Sequence, residues 1–426
     1  MKKMKKILAL TLALLMMFTL VACGEKINDT QGEEGTVEIT LATYPIGKYN
    51  DQATLDSLIA DFNAVYPNIK VNTILLDYTN GDDQVNTMIE GGQAPDVIME
   101  GPERLIANWG AKGLMVDLKD LVPAGTYESV LTSCTNAEGA VYELPVCMTA
   151  HCMAINRDLF EAAGALQYID EETRTWTTEN FVKAVEALVA YGQENVAIVY
   201  CGGQGGDQGT RALVTNLYGG TYANAEHTEY TVSSPENVQA LELLKSTPGI
   251  SFDPAAVASD EINMFCNGTL AMAFCWNQTQ ETNNADKIAF DVLPMAFPTN
   301  EGDPVLQGGI WGFGMFNTGN EAKMEAAKTF IKFMTEDDAQ YIKTVEASSF
   351  FATRDLEGVY ESNDLMNEYS IFAPYMGDYY QITLGWTEAR TAWWNALQAI
   401  NNGTDVATAL EDFQATANAA AAAAAG

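Results

Sequence analysis

The sequence predicts an α/β protein built on a mainly parallel sheet with helices covering its faces. Strand-like and helix-like stretches alternate from residue 36 onward, and a β-α-β-α-β order is satisfied by parallel strands joined through crossover helices. One strand-like stretch, 269–275, is small or apolar throughout rather than alternating, as expected of a strand buried on both faces. A length of 426 residues provides for two or three domains with ample core.

Residues 1–22 are expected to stand outside the fold. Lys2, Lys3, Lys5 and Lys6 form a positive start, residues 7–21 are an apolar run short for a span of about 20 residues, and small Ala22 precedes Cys23. Leu20-Val21-Ala22-Cys23 resembles a lipobox, the recognition sequence of bacterial lipoprotein signal peptides. The resemblance implies cleavage before Cys23 and lipidation of its sulfur by a diacyl group; two chains anchor stably where one is marginal. Residues 23–35 are polar, rich in Gly and Glu and without aromatics, and read as a flexible tether.

The folded part opens with a strand at 37–42, broken by Tyr44-Pro45-Ile46-Gly47. Leu55, Leu58, Ile59, Phe62 and Val65 recur at helical spacing over 54–66, and Pro67-Asn68 stops that helix. A strand at 69–76, a helix at 82–91 and the strand Val97-Ile98-Met99, ending at Glu100-Gly101, complete the first unit; 105–109 is helical. Two extended runs, 141–148 and 152–156, are joined around Thr149-Ala150-His151. A long helix follows Trp176, with Thr177 or Thr178 as its N-cap and Glu179 in its first turn. Residues 196–201 read as a strand, 202–209 as a Gly-rich loop, and 210–218 and 235–244 as helices. Asn267-Gly268 is a turn dipeptide, and the strand after it delivers Trp276 and Asn277 at its end. Ligands of open α/β sheets sit just past the carboxyl ends of strands, so this pair suits either a ligand platform or a core tryptophan that closes off the sheet. A strand at 288–293, a Gly-rich strand at 308–316, a patterned helix at 321–334, an extended piece at 350–354 and helices at 386–400 and 406–425 complete the chain.

Charge and chemistry narrow the function. The formal charge of −35 argues against nucleic acid and against anionic membrane surfaces as partners, and suits a soluble protein outside the cell. Beyond Cys23 there are six cysteines, which in that setting suit three disulfides. Cys147, Cys201, Cys266 and Cys275 lie in apolar strand-like runs, however, where cysteine behaves as a small hydrophobe. Mostly free, buried thiols are therefore expected, Cys147 and Cys152 being near enough for a local bridge; no CxxC pair points to zinc. His151 and His227 are the only histidines, and no GxSxG elbow accompanies either, so they read as structural or surface groups. The Gly-rich 202–209 lacks both the last glycine of GxGxxG and the GK[ST] of a phosphate loop, and 77–90 has the acids of a calcium loop in the wrong order. No metal or cofactor is expected. Tyr44, Trp276, Trp311, Trp386 and Tyr379-Tyr380 lie at element ends or in loops, where a ring can pack on the C–H face of a sugar while neighbouring polar groups bond its hydroxyls. Trp176, Trp393 and Trp394 sit in or at the start of helices and are assigned to packing.

Six phrases, in order, resemble family 1 extracellular solute-binding proteins of ABC importers, the maltose-type sugar-binding lipoproteins. They are Phe62-Asn63 with Tyr66-Pro67-Asn68-Ile69; Gly91-Gly92-Gln93-Ala94-Pro95-Asp96-Val97; Tyr142-Glu143-Leu144-Pro145; Asn156-Arg157-Asp158-Leu159-Phe160; Gly268 through Ala271-Met272 to Trp276; and Gly308-Gly309 with 326–334. The chain departs from the pattern in lacking a proline around Phe350-Phe351-Ala352-Thr353 and in placing Trp311 two residues past its glycine pair. The resemblance implies a two-lobed periplasmic-binding-protein-like fold of type II, its hinge crossed near 145–151, 289–294 and 348–354. The first lobe would take 36–147 and 291–347, the second 148–290 and 348–426. It implies a monomeric receptor, not an enzyme, anchored at the outer face of the cell membrane, which closes on a mono- or oligosaccharide and hands it to importer membrane subunits. A non-sugar polar solute is the alternative, and a secreted glycan-acting enzyme the remoter one. Within that frame Tyr44 and Glu100 face the cleft from the first lobe and Thr149 lines the crossing. Trp276 stacks on a ring, Asn277 bonds a hydroxyl, and Gly309 allows close approach. Trp311 is a second platform, Arg354 a polar clamp and Trp386 a wall.

Overall fold

The computed structural model describes residues 35–424 apart from 79 and 203–206. The expected signal segment, Cys23 and nearly all of the tether lie outside the described residues. From Gly35 the chain builds a first sheet with β1 (Val37–Thr43), β2 (Ile69–Leu75), β3 (Val97–Glu100) and β4 (Leu144–Ala150). It then crosses into a second region with β5 (Cys152–Asn156), β6 (Ala197–Tyr200), β7 (Ile250–Asp253), β8 (Met272–Trp276) and β9 (Val292–Met295). It returns as β10 (Gly308–Met315) and β11 (Phe351–Ala352).

The first sheet has the order β11-β4-β10-β3-β1-β2. β1 is parallel to β2 and β3, while β10 is antiparallel to both β3 and β4. The carboxyl ends of β1, β3 and β4 therefore share one edge, together with Gly308 at the start of β10. In the second region β5 lies between β8 and β9 and antiparallel to both, and β6 pairs in parallel with β7. The N–H groups of Ala271 and Met272 donate to the Val196 carbonyl, which sets β6 alongside β8. Cys152 pairs with Trp276, so the carboxyl ends of β6 and β8 point back toward the first sheet.

His151 alone separates β4 from β5, which makes the first crossing a single residue long. Two core clusters form, and the second reaches into the first sheet through Met148, Ala150, Ile310 and Phe351. One gathers Ile39, Phe62, Val97, Trp109, Phe330 and Tyr341; the other gathers Phe160, Phe181, Leu213, Trp276, Trp393 and Phe413. The C-terminal helices Trp386–Asn401 and Val406–Ala424 pack into the second.

Local chemistry explains the helices that frame this arrangement. Gln52–Val65 starts where Asp51 accepts the Thr54 N–H, and buries Leu55, Leu58, Ile59 and Phe62. Val65, expected on that face, is instead 58% exposed at its last turn. Thr178–Tyr191 is capped by Thr177 and ends at Gly192, whose φ of 114° suits glycine.

Several expectations need correction. The first sheet continues through Ala150, so a division at 147/148 cuts β4. Val292–Met295 pairs with β5, so the chain past 291 is still in the second region, and the crossing expected at 289–294 falls between β9 and β10. The sequence misleads here because Pro294 reads as a strand terminator, yet β9 is an edge strand, where a missing N–H is tolerated. The helix expected at 210 begins at Asp207. Ala258–Cys266, Gln278–Asn284 and Asp338–Ser348 are helices the sequence reading did not resolve. The six cysteines from Cys134 to Cys275 are buried free thiols, including Cys147 and Cys152.

Candidate functional site

At the carboxyl edge of the first sheet, Tyr44, Tyr78 and Arg104 pack against one another as a triangle. The two rings lie 5.2 Å apart between centroids, and the Arg104 guanidinium sits 4.9 Å from the Tyr44 ring and 5.4 Å from that of Tyr78. Arg104 projects from the short helical segment that starts at Pro102, directly after β3. It donates to Asp82 Oδ1 and to Glu100 Oε1, both at 2.7 Å, and the Tyr44 hydroxyl donates to the same Asp82 oxygen. Burial, with neighbouring Glu103, pushes the Glu100 carboxyl up, and Arg104 pulls against both. Tyr44 and Glu100 have no exposed surface, whereas Tyr78 is 49% exposed and is the accessible ring of the three. The expected pair is thus buried at the carboxyl edge of the sheet, with Tyr78 against Tyr44.

The other expected residues separate. The Thr149 hydroxyl donates to Gln278 Oε1 at 3.3 Å, a bond from the first sheet to the helix after β8. Trp276 is fully buried; its indole N–H donates to Tyr369 Oη at 2.6 Å and its ring meets Phe265 edge-on at 5.1 Å. In this conformation it is core and not a platform. Asn277 caps the helix Gln278–Asn284, its Oδ1 accepting from Thr279 and Gln280 N–H. Gly309 makes room for protein, since a Cβ there would stand 2.2 Å from the Trp311 ring. Trp311 itself is half-buried and stacked on Phe350 at 4.7 Å. Arg354 lies elsewhere, paired with Asp338 at 2.9 Å over the Tyr341 ring, at a separate cavity of about 500 Å³. Trp386 is half-buried beneath the Arg390 guanidinium, 5.1 Å from its ring.

Arg390 leads to a cluster that sequence reasoning missed. Asp207 opens the helix Asp207–Tyr218, just beyond the carboxyl end of β6. Its Oδ1 accepts from Arg390 Nε at 3.1 Å and Nη2 at 2.9 Å, and its Oδ2 stands 2.9 Å from Arg211 Nε. Burial works to raise the Asp207 carboxyl, but the two guanidiniums hold it below the usual carboxylate range. The Arg211 guanidinium lies 3.9 Å from the Tyr380 ring and 5.1 Å from that of Tyr222. His151, the crossing residue, donates its backbone N–H to the Gln307 carbonyl, which ties the first crossing to the second. Burial, then the Arg211 charge, pushes the His151 imidazole down to about 4, so it is neutral at physiological pH. The Tyr379 hydroxyl donates to Glu103 Oε2 at 3.0 Å, so adjacent tyrosines touch the first-sheet cluster and the Arg211 cluster. Tyr222, Gln307, Asp378 and Tyr380 line a cavity of about 280 Å³. A larger one of about 470 Å³, between Arg157, Arg174, Glu281 and Glu368, lies beyond β9 and away from the crossing. The available signal was an Asp–Arg pair four residues apart at the start of a helical stretch, in a chain with only 22 lysines and arginines.

Two α/β lobes built around two core clusters, joined through a one-residue crossing and facing each other with aromatic and charged groups at their strand ends, define a two-lobed solute-binding protein. The family model for bacterial extracellular solute-binding proteins matches residues 47–341, and the chain belongs to that family. A maltooligosaccharide ABC transporter solute-binding lipoprotein of Streptococcus pneumoniae is 29% identical over 165 residues, covering 38% of this chain and 38% of the relative. An uncharacterized lipoprotein of Streptomyces antibioticus is 29% identical over 153 residues, 34% of this chain and 32% of the relative. The chain thus spans about a third of the length of the curated relatives it matches. The fold is shared throughout with a cyclic alpha-maltosyl-1,6-maltose binding protein of Arthrobacter globiformis (TM-score 0.74, 18% identity, 91% of this chain and 99% of that one). It is equally shared with RafE of Streptococcus pneumoniae (TM-score 0.69, 19% identity, 92% and 100%).

Proposed function

We propose that this chain is a lipid-anchored carbohydrate receptor that closes on its ligand and delivers it to the membrane subunits of an ABC importer. The observation that carries the reading is the meeting of two aromatic–charged clusters across the His151 crossing: Tyr78 over Tyr44 and Arg104 on one lobe, Tyr380 and Tyr222 over Arg211 on the other. Apolar ring faces beside a few convergent polar groups suit a sugar, whose ring has C–H faces and a hydroxyl rim. The similar proteins, named for maltooligosaccharide and for cyclic maltosyl-maltose, support the same class. A ligand touching both lobes binds the closed form better and shifts the hinge equilibrium toward it. Binding and release suffice, and no step of covalent chemistry is assigned to the chain.

A thermal-shift screen over mono- and oligosaccharides tests the reading, because a ligand that binds only the folded state raises the melting temperature by mass action. At least one saccharide should raise it in a concentration-dependent manner. No shift from any of them, or turnover of an oligosaccharide to product, would overturn it. The anchor is tested separately. The unaltered protein should partition into detergent and be labelled by radioactive palmitate, and Cys23→Ala should abolish both; a soluble, unlabelled parent would refute the anchor without touching the receptor.

A further inference from the structure

We infer that the second lobe presents the free edge of the Arg211 guanidinium to an anionic group on the ligand, a carboxylate or a phosphate carried by the sugar. The inference rests on the carbohydrate-receptor reading and narrows its substrate class.

Arg211 has no exposed surface. A guanidinium carries five N–H donors, and neither Nη1 nor Nη2 has a hydrogen-bond partner among the described residues. Nε stands 2.9 Å from Asp207 Oδ2, close enough for an ion pair, yet the atoms are not aligned for a hydrogen bond. A buried cation with unused donors is costly to keep. Tyr380 and Tyr222 cover faces of the guanidinium but leave its N–H edge unspent.

The charges do not balance either. Asp207 serves both Arg211 and Arg390, one carboxylate against two guanidiniums. His151, whose ring the Arg211 charge reaches, contributes no negative charge and is held neutral. Among the paired groups themselves positive charge exceeds negative by one, while Asp378, Glu301 and Asp303 line the neighbouring cavity beside Tyr222 and Tyr380. The first-lobe cluster has the opposite surplus, with Asp82, Glu100 and Glu103 around the single Arg104. Of the two ion-paired clusters, the one around Arg211 is the better suited to an anion.

The geometry of recognition follows from the donor. The guanidinium fork matches two oxygens of a carboxylate or phosphate, which is the pairing arginine makes best. Among the buried polar atoms without partners in the described residues are His151 Nδ1, Gln208 Oε1, Gln307 Oε1 and Tyr380 Oη. Gln208 flanks Asp207, Gln307 is bonded through its carbonyl to His151, and Tyr380 covers Arg211. They are suited to the neutral hydroxyls of a sugar whose acidic group occupies Arg211.

Calorimetric titration of the purified protein with matched pairs tests this. Glucuronate and galacturonate, with their dimers, are compared with glucose, galactose and the neutral dimers; hexose 6-phosphates form a third arm. The acidic member should bind about 10- to 100-fold more tightly, as a charge-assisted hydrogen-bonded pair provides. The arm with the larger preference distinguishes carboxylate from phosphate. Arg211→Met should erase the preference in a variant whose circular-dichroism melt shows it folded. Neutral sugars binding as tightly as both acidic arms would overturn the inference and leave the receptor reading intact. No binding by any arm would overturn the inference and leave the receptor reading to the saccharide screen. A preference that survives Arg211→Met would remove Arg211 from the role, and should that variant fail to fold, the wild-type pairs decide alone.

Discussion

Trp276 is held by a chain of hydroxyls and carboxylates and not by solvent. Its indole N–H reaches Tyr369 Oη, that hydroxyl donates to Glu281 Oε2 at 2.6 Å, and Phe265 covers the ring edge. Trp276→Ala deletes a fully buried ring, so it should cost about 3–5 kcal/mol of stability. Trp276→Phe keeps most of the volume and loses the one hydrogen bond, a smaller cost of about 1–3 kcal/mol for the polar partner left behind. Chemical denaturation of both variants checks the order; an alanine variant as stable as the parent would return Trp276 to the cleft. The sequence placed this tryptophan at the end of an apolar strand, and that position suits a ligand or a core equally. What decides between them is Tyr369, 93 residues later, and no periodicity reports a contact at that range. Arg211 is the converse case. It looks like an ordinary helix residue until Asp207, Arg390 and Tyr380 are brought around it. The position of Tyr44 and Glu100 at strand ends was legible, since strand ends at a shared edge follow from parallel topology.

The coupling of the helix Ala258–Cys266 to β8 turns on one acid. Glu261 is fully buried, and its two oxygens accept the N–H groups of Phe274 and Cys275 at 2.8 and 3.0 Å. Burial pushes its carboxyl up to about 8, with the two backbone bonds pulling the other way. The folded value therefore lies above the ordinary 4.5, and the native state keeps a proton that the unfolded chain has released. Stability from this group is full below about 4.5 and is lost as the pH rises through about 8. Glu261→Gln is neutral throughout and should flatten that stretch of the stability curve, measured by urea denaturation at steps across the interval. A parent curve with no steeper decline than the variant's would overturn the assignment. Glu261→Ala leaves both N–H groups unpaired and should cost about 1–3 kcal/mol for each. This helix was not legible, because its short apolar close at Phe265-Cys266 runs straight into the turn before the strand. Helices with a long apolar face and a capping side chain, such as Gln52–Val65 and Thr178–Tyr191, were legible within a few residues.

On the scale of the whole molecule, the two lobes hold each other through few bonds. Tyr379 donates to Glu103 at 3.0 Å, Thr149 to Gln278 at 3.3 Å, and Gln278 Nε2 to the Ser349 carbonyl at 3.5 Å. The first of these joins the loop that covers the Arg211 cluster to the helical segment that carries Arg104, so it bears directly on closure. Tyr379→Phe removes the hydroxyl and keeps the ring. The closed population of the free protein should then fall, and small-angle scattering should report a larger radius of gyration without ligand. With saturating ligand the two proteins should scatter alike, because contacts across the cleft restore the closed form. Affinity should fall several-fold by the same factor as the closed population, since ligand must now supply what the tyrosine supplied. An unchanged radius together with an unchanged affinity would mean that Glu103 and Tyr379 meet without biasing the hinge. A lower affinity at an unchanged radius would instead place Tyr379 among the groups that touch the ligand.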